Sequence, residues 1–545
     1  MRNAIQTSSL LLVIATVVAC TAAPPPAPSL TVTSPERGML QNSAGPVMVK
    51  GTALPGDDGA AVTSVKVNGT RASVGADGSF SVVVDAPPGA LLLETVATSS
   101  EGGTVTDARA VQTGEVRAVG TSVERGVTAT LSAEAFARLA TAAGPIVKST
   151  DFNKLLAPMQ PMANLGDSLA NVKLSITKLT LGDVKFTLVP TDGGLQFSAE
   201  LTGLSVAAKA DYAGTFVPDG STSVNASADT VSISGTLVVT PAGTAGFTAK
   251  LASPTVRTTN LKLQASGLVG DVLSVLQSNL SSTIQRIATT STEKAIQPLL
   301  INALGALAGP QSLDVLGKKI ELQVSPSAVT FSRAGALVAM NVAVKIAGSE
   351  GSPGYVFTPN GTPKLDVSTG VQLALADDLV NEMLAEVHAL GLLDLRIQED
   401  FGIFDEAHFR LALPPMISAN NEDGTMRLVI GDMIASFSNH GTPVIGAAVN
   451  AQVDVAVEQG TADEEIALKF GKIRVFVNPL DKDANMDDVE NAELKLAATA
   501  GIGVQLDSMK QFLVKLPVPA IAGIQLDNLS LHADSGYVVA SGAIR

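Results

Sequence analysis

The sequence predicts an α+β chain: a small all-β module, then two halves of similar grammar, each an antiparallel sheet with a long helix along it. Three observations predict it. Short alternating stretches, split by turn dipeptides, fill residues 30–114. Longer ones follow, such as "VKLSITKLTLGDVKFTLV" (172–189) and "GLQFSAELTGLSVAAKA" (194–210). Their period of two is that of strands with one wet and one apolar face. Each half also carries a helical apolar stripe, within 268–308 and again within 374–397.

The N-terminus comes first. Arg2 precedes an apolar run from Leu10 to Ala19, of secretory length and short of the roughly 20 residues that span a bilayer. Val17-Val18-Ala19-Cys20 resembles the bacterial lipobox, in which the cysteine becomes the acylated N-terminus of the mature protein. Several acyl tails on Cys20 give stable anchoring where one is marginal. The plainer alternative is a secretory signal cut after Ala23, which discards Cys20. Thr21, where an aspartate is absent, points to the outer membrane. Thr21 to Ser29, with four prolines, reads as a stiff tether.

Composition bounds the rest. Cys20 is the sole cysteine, so no disulfide within the chain supports the fold. Hydrophobic residues make up 46% and charged residues 16%, so long stretches are expected to be buried. With 16 Phe, 3 Tyr and no Trp, the chain lacks the aromatic girdles of a transmembrane barrel. Residues 1–114 carry 6 basic against 8 acidic side chains, 115–310 carry 14 against 13, and 311–545 carry 16 against 30. The acidity therefore sits in the last segment, and nucleic acid is excluded as a partner.

Within 30–114, "LTVTSPERG", "VMVKGTAL", "VTSVKVNG" and "GADGSFSVVV" are strands broken by Asn68-Gly69 and Asp77-Gly78, dipeptides that favour tight hairpins. The pattern resembles bacterial immunoglobulin-like domains, which implies a spacer. In the next segment, a strand to Leu131 leads to Ser132, placed to cap a helix through Gly144. Val172, Leu174 and Ile176 point one way and Lys173, Ser175 and Thr177 the other. Leu273, Leu276, Leu280, Ile284 and Ile287 then form one stripe on a helix that would run about 60 Å across 268–308. The stripe is compatible with plain core or with a pocket wall. In the last segment, Leu379, Val380, Met383, Leu384, Val387 and Leu390 line a second helix, with Gly391 as its C-terminal cap.

"RGVTATLSAEAFARLA" (125–140), "TEKAIQPLLINAL" (292–304), "LALADDLVNEMLAEVHALGLLDLRI" (373–397) and the tail at 514–544 with its Leu-Pro-x-Pro step resemble, in this order, the tubular lipid-binding family. That family includes bactericidal/permeability-increasing protein, lipopolysaccharide-binding protein and cholesteryl ester transfer protein. The resemblance covers 115–545. It implies two tandem barrels, 115–310 and 311–545, each a twisted antiparallel sheet wrapped around a long helix. It implies further that a glycerophospholipid or another apolar lipid lies against Leu273, Leu276, Leu280, Ile284, Ile287, Met383, Leu384 and Val387. No cofactor or metal is implied. The chain departs from the animal members in lacking their cysteine pair and cationic tip, so capture of lipopolysaccharide by cationic attraction is not expected.

Enzyme motifs are missing from the sequence. His388, His408, His440 and His532 are far apart, and neither a G-x-S-x-G elbow nor a phosphate-binding glycine loop occurs. Asp481, Asp483, Asn485 and Asp487 have the alternate spacing of a calcium loop, but Met486 stands where glycine is needed and Ala492 where a bidentate glutamate belongs. An acidic hairpin loop is the simpler reading. The sequence thus predicts a non-enzymatic, lipid-anchored outer-membrane protein that binds or transfers lipid, or else a structural or adhesive surface lipoprotein with filled barrels.

Overall fold

The computed structural model describes residues 25–149, 151, 153–154, 157, 160–161, 163–166, 171–213, 215, 219–265, 309–315, 318–349, 351–419, 425–459, 466–480, 488–513 and 526–544. These residues fall into two compact units.

The first unit takes residues up to Glu36 with Pro46–Asp85 and Leu93–Ala108. Ser29–Ser34 pairs antiparallel with Gly45–Leu54, which neighbours Ser79–Ala86 in a four-stranded sheet. Val62–Val67 pairs antiparallel with Gly89–Ser99 in a second sheet. Alternation carries Val47, Val49, Val65, Val67 and Phe80 inward, giving the unit its apolar interior.

The second unit comprises Arg37–Gly45, Ala86–Leu92 and Arg109 onward. One of its sheets has seven antiparallel strands in the order Gly309–Val315, Lys318–Ser332, Gly335–Ile346, Val123–Ser132, Val371–Ala376, Tyr537–Ile544, Leu526–Asp534. That sheet draws strands from both sides of residue 310. Another seven-stranded sheet is built around a long hairpin, Gly194–Ala213 with Gly220–Pro241, and a six-stranded sheet around Met426–Asn439 with Thr442–Gln459. Among the described residues three α-helices accompany them: α1 (Ala133–Ser149), α2 (Asp377–Ala389) and α3 (Asp488–Leu513).

The expected α+β class, two barrels each wrapped around a long helix, is corrected to an almost entirely β chain. Strands hold 63% of the residues and helices 12%, and among the described residues no long helix is wrapped by a sheet. The stretch 268–308, on which that expectation rested, lies outside the described residues. The second stripe, within 374–397, forms only the 13-residue α2. Gly391, at φ +66, ends it: its N–H donates to the His388 carbonyl at 2.9 Å and that of Leu392 to Val387 at 3.2 Å. This pair of bonds is the Schellman closure, which needs the left-handed residue that glycine supplies without strain. On the β side, period-2 alternation continues over strands of 20 and 22 residues, about 70 Å of chain.

One continuous apolar core runs through the second unit. It includes Leu131 and Phe136, the hairpin's Phe197 and Ile233, Met340, Met383 of α2, Phe409, Phe437 and Ile502 of α3. Ser132 starts α1 as expected, its Oγ accepting from the Ala135 N–H at 3.4 Å, although the helix continues beyond Gly144. The sequence reading passed over α3. Its buried positions Leu494, Ala497, Ala498, Ile502, Leu506 and Met509 follow helical spacing, but alanine and glycine dilute the stripe.

Candidate functional site

Of the residues expected to touch lipid, Leu273, Leu276, Leu280, Ile284 and Ile287 lie outside the described residues, as do Cys20, Asp481, Asp483, Asn485 and Asp487. Met383, Leu384 and Val387 are described. They project from α2 into the main core, each no more than 2% exposed. The strands packed against α2 include Gly335–Ile346, Tyr355–Phe357 and Met416–Ser418.

The long hairpin offers a different apolar surface. At its open end, where Leu195 pairs with Leu237, Leu195, Phe197, Ile233 and Leu237 belong to the main core. Toward the end where Tyr212 pairs with Gly220, its inward residues leave that core. Ala208, Ala210 and Val224 cluster with Val172 and Leu174, while Val206 clusters with Leu179 and Val184. The change falls beside Gly203, whose φ of +61 interrupts a 20-residue strand, and its neighbour Thr202 bonds Gly182 and Asp183. A strand-interior glycine at positive φ marks a bend. Beyond it the buried inward positions Val206, Ala208, Ala210 and Val224 are small or β-branched, while Ser205 and Lys209 are exposed.

α2 has a second buried face, made of acids. Asp377, Asp378, Glu382 and Glu386 are each at most 1% exposed. Their carboxylates hold the backbone of four other segments. Asp377 Oδ2 accepts the Ala419 N–H at 2.8 Å, and Asp378 Oδ1 accepts the Thr358 N–H at 2.9 Å and its hydroxyl at 2.8 Å. Glu382 Oε1 accepts the Gly120 N–H at 2.8 Å. Glu386 Oε2 accepts the Ile346 N–H at 2.5 Å and the Ser349 hydroxyl at 2.8 Å. Glu382 Oε2 is buried and has no hydrogen-bond partner among the described residues.

Removal from water raises Asp377, Asp378 and Glu382 above the carboxylate range, because burial disfavours the charged form. Burial pushes Asp377 up to about 6, against the pull of its Ala419 bond. Burial and then the neighbouring Asp377 push Asp378 up to about 7. Burial is again the first cause for Glu382, pushed up to about 9, with Glu386 and Asp378 adding repulsion. Tyr355 is raised as well, by burial and then by Glu382. Sequence reasoning missed this cluster. Asp378, Glu382 and Glu386 recur every fourth residue, which in a lone helix reads as the wet face opposite Val380 and Leu384.

Two further features stand out. Asp432 is fully buried at φ +43. Its carboxylate takes Arg37 Nη1 at 2.9 Å, Asn450 Nδ2 at 3.1 Å and the backbone N–H groups of Gly38 (2.9 Å) and Ala110 (3.2 Å). A groove of about 470 Å³ lies along the strands Lys318–Ser332 and Gly335–Ile346, lined by Gly120, Lys319, Glu321 and Lys345 among others. Lys319 pairs with Glu321 at 3.5 Å within it. Of the histidines, His388 Nε2 lies 3.1 Å from the Leu411 carbonyl, and His440 Nδ1 lies 2.9 Å from Asp405 Oδ2. Among the described residues no group of three or more His, Cys, Asp or Glu side chains is placed to hold a metal.

Comparison with known proteins adds the following. Residues 28–114 match the family model of glucodextranase domain B, an immunoglobulin-like domain. No curated protein matches the chain by sequence. Among solved structures, lipopolysaccharide binding protein is similar over 78% of this chain and 99% of its own, at 16% identity and a TM-score of 0.37. P47 of Clostridium botulinum E1 is similar over 78% of this chain and 100% of its own, at 8% identity and a TM-score of 0.29. Latherin covers 32% of this chain and 94% of its own, at 11% identity and a TM-score of 0.18. At these scores a shared fold is not established, and the family match places an immunoglobulin-like domain at 28–114 and nothing more.

Proposed function

We propose that the protein is a bacterial lipoprotein, held at the outer membrane by acyl chains on Cys20, that binds a phospholipid or another apolar lipid and catalyses no covalent chemistry. The observation that carries this reading is the far half of the long hairpin. Its apolar face extends beyond the main core into two separate clusters, with Ala208, Ala210 and Val224 in one and Val206 in the other. Small side chains on a buried sheet face suit an acyl chain, which gains about 0.8 kcal/mol per CH₂ removed from water. A 16-carbon chain gains roughly 12 kcal/mol on that scale.

One observation favours the second reading, a structural or adhesive lipoprotein with a filled interior. Beside α3 the interior is closely packed: Phe409 lies against Gly501, and Phe404 and Phe409 both meet Phe437, tilted at 5.2 Å and edge-on at 5.9 Å. The test separates the two readings. Lipid extracted from the purified full-length protein after detergent exchange is quantified by mass spectrometry, for wild type and for Ala208→Trp and Ala210→Trp. Lipid binding predicts a stoichiometric lipid in wild type that the variants lose with thermal stability nearly unchanged. A filled interior predicts no retained lipid and a loss of about 1–3 kcal/mol from overpacking.

A further inference from the structure

The acidic face of α2 lies outside the lipid reading and invites its own explanation. Four buried acids on one 13-residue helix are not needed to hold it in the core, since Leu379, Val380, Met383, Leu384 and Val387 already do so. Each acid instead reaches away and takes a backbone N–H from another part of the chain: Ala419, Thr358, Gly120 and Ile346. Isolated negative charges buried at this density repel one another and lack water. Glu382 in particular satisfies one oxygen and leaves the other dry. A carboxyl that keeps its proton accepts the same N–H through its carbonyl oxygen without carrying that charge.

We propose that the acidic face of α2 is a proton-operated clasp: its carboxyls hold the segments at Gly120, Ile346–Ser349, Thr358 and Ala419 against the helix, and loss of the proton at Glu382 releases all four together.

The groups facing the clasp come from several elements. Tyr355 lies near Glu382 and Asp378. Arg117 is the cation acting on Asp378, but Glu115 holds its guanidinium at 3.1 Å and the Phe357 ring lies 3.5 Å below it. Tyr537 faces Asp377 and Asp378, with Arg125 beyond it. Lys345 lines the groove on whose wall Gly120 sits, and His388 ends the helix on the Leu411 carbonyl. Arg117, the cation that acts on the acids, is already engaged by Glu115.

The sign follows from linkage. Glu382 titrates at about 9 in the closed state and near 4.3 once in water. Between those values, opening releases a proton, so the open population rises about tenfold per pH unit. The clasp is therefore fully closed below about pH 4, weakens as pH rises, and has lost its Glu382 proton above about 9. From pH 7 to 9 the rise attributable to Glu382 is about a hundredfold. Asp378, at about 7, adds its share below neutrality.

Hydrogen–deuterium exchange of the full-length protein at pH 6, 7, 8 and 9, corrected for intrinsic rates, tests the clasp. Protection at 118–121, 346–349, 355–360 and 417–419 is expected to fall together, by about a hundredfold between pH 7 and 9. A reference segment at 231–239 is expected to hold. Glu382→Gln, which keeps an acceptor for Gly120 and cannot ionise, is expected to remove that hundredfold. The proposal is overturned if the four segments lose protection separately, if the reference segment falls equally, or if Glu382→Gln leaves the pH dependence intact. Should that variant not fold, the wild-type series decides by the first two outcomes. The clasp stands whether or not lipid is bound, so failure of one proposal leaves the other in place.

Discussion

Asp432 occupies a place where a strand ordinarily puts an apolar side chain. The register of Met426–Asn439 breaks between Ile430 and Met433, and the bulge turns Asp432 inward at φ +43. There it collects Arg37, Gly38, Ala110 and Asn450 on its two oxygens. Removing one partner of a buried pair leaves the others unsatisfied, at a cost of about 3–5 kcal/mol. Asp432→Ala is expected to lose that much, read as a lowered thermal midpoint. Asp432→Asn keeps an acceptor and tolerates positive φ, so it is expected to cost less. A larger loss for Asn than for Ala would show that the hydrogen bonds to Asp432 are not what matters. The sequence hints at the bulge, since Gly431 interrupts an apolar strand. It holds no hint of Arg37, 395 positions away.

At the scale of elements, α3 packs on the strands Leu395–Ile397, Glu406–Leu411 and Ile466–Pro479. A β-carbon on its Gly501 would come 2.3 Å from the buried Phe409 ring, whereas one on Gly503 would meet nothing within 4 Å. Both replacements by alanine favour the helix by about 1 kcal/mol. Gly503→Ala is therefore expected to stabilise by about 0.5–1 kcal/mol. In Gly501→Ala the overpacking, typically about 1–3 kcal/mol, opposes that gain and leaves a net loss. Denaturant unfolding of the two variants checks the opposite signs. The strands were the more legible elements. Val172 and Leu174 are buried and Lys173 is exposed, as alternation requires. The pattern slips where a bulge between Ile176 and Lys178 leaves Ile176 half-buried and brings Leu179 inward. The helices were less legible because their polar faces are not all wet: the acids of α2 look solvated until four backbone segments close over them.

For the whole molecule, acidity concentrates in 311–545, with 16 basic against 30 acidic residues. Such a surface is repelled by anionic membranes, so anchoring is expected to rest on Cys20 rather than on charge. Cys20→Ala is expected to move the protein from the membrane fraction to a soluble or unprocessed form. Retention of wild-type, detergent-dependent fractionation would sink the lipobox reading.

The strand Val123–Ser132 has one more consequence, and it concerns time. It sits inside its sheet, with Gly335–Ile346 on one edge and Val371–Ala376 on the other. Arg125 bonds Asn341 from 216 positions away, and Gln372 bonds Thr130 from 242. At about 5–20 residues per second, a nascent chain would expose this apolar strand for roughly 10–40 seconds before either neighbour is made. Both edges stay open throughout, a ready template for pairing between chains. Substitutions at 127–131 would register in the yield from a crowded cell before they register in the melting curve. Whatever escorts the emerging chain has this stretch to shield first.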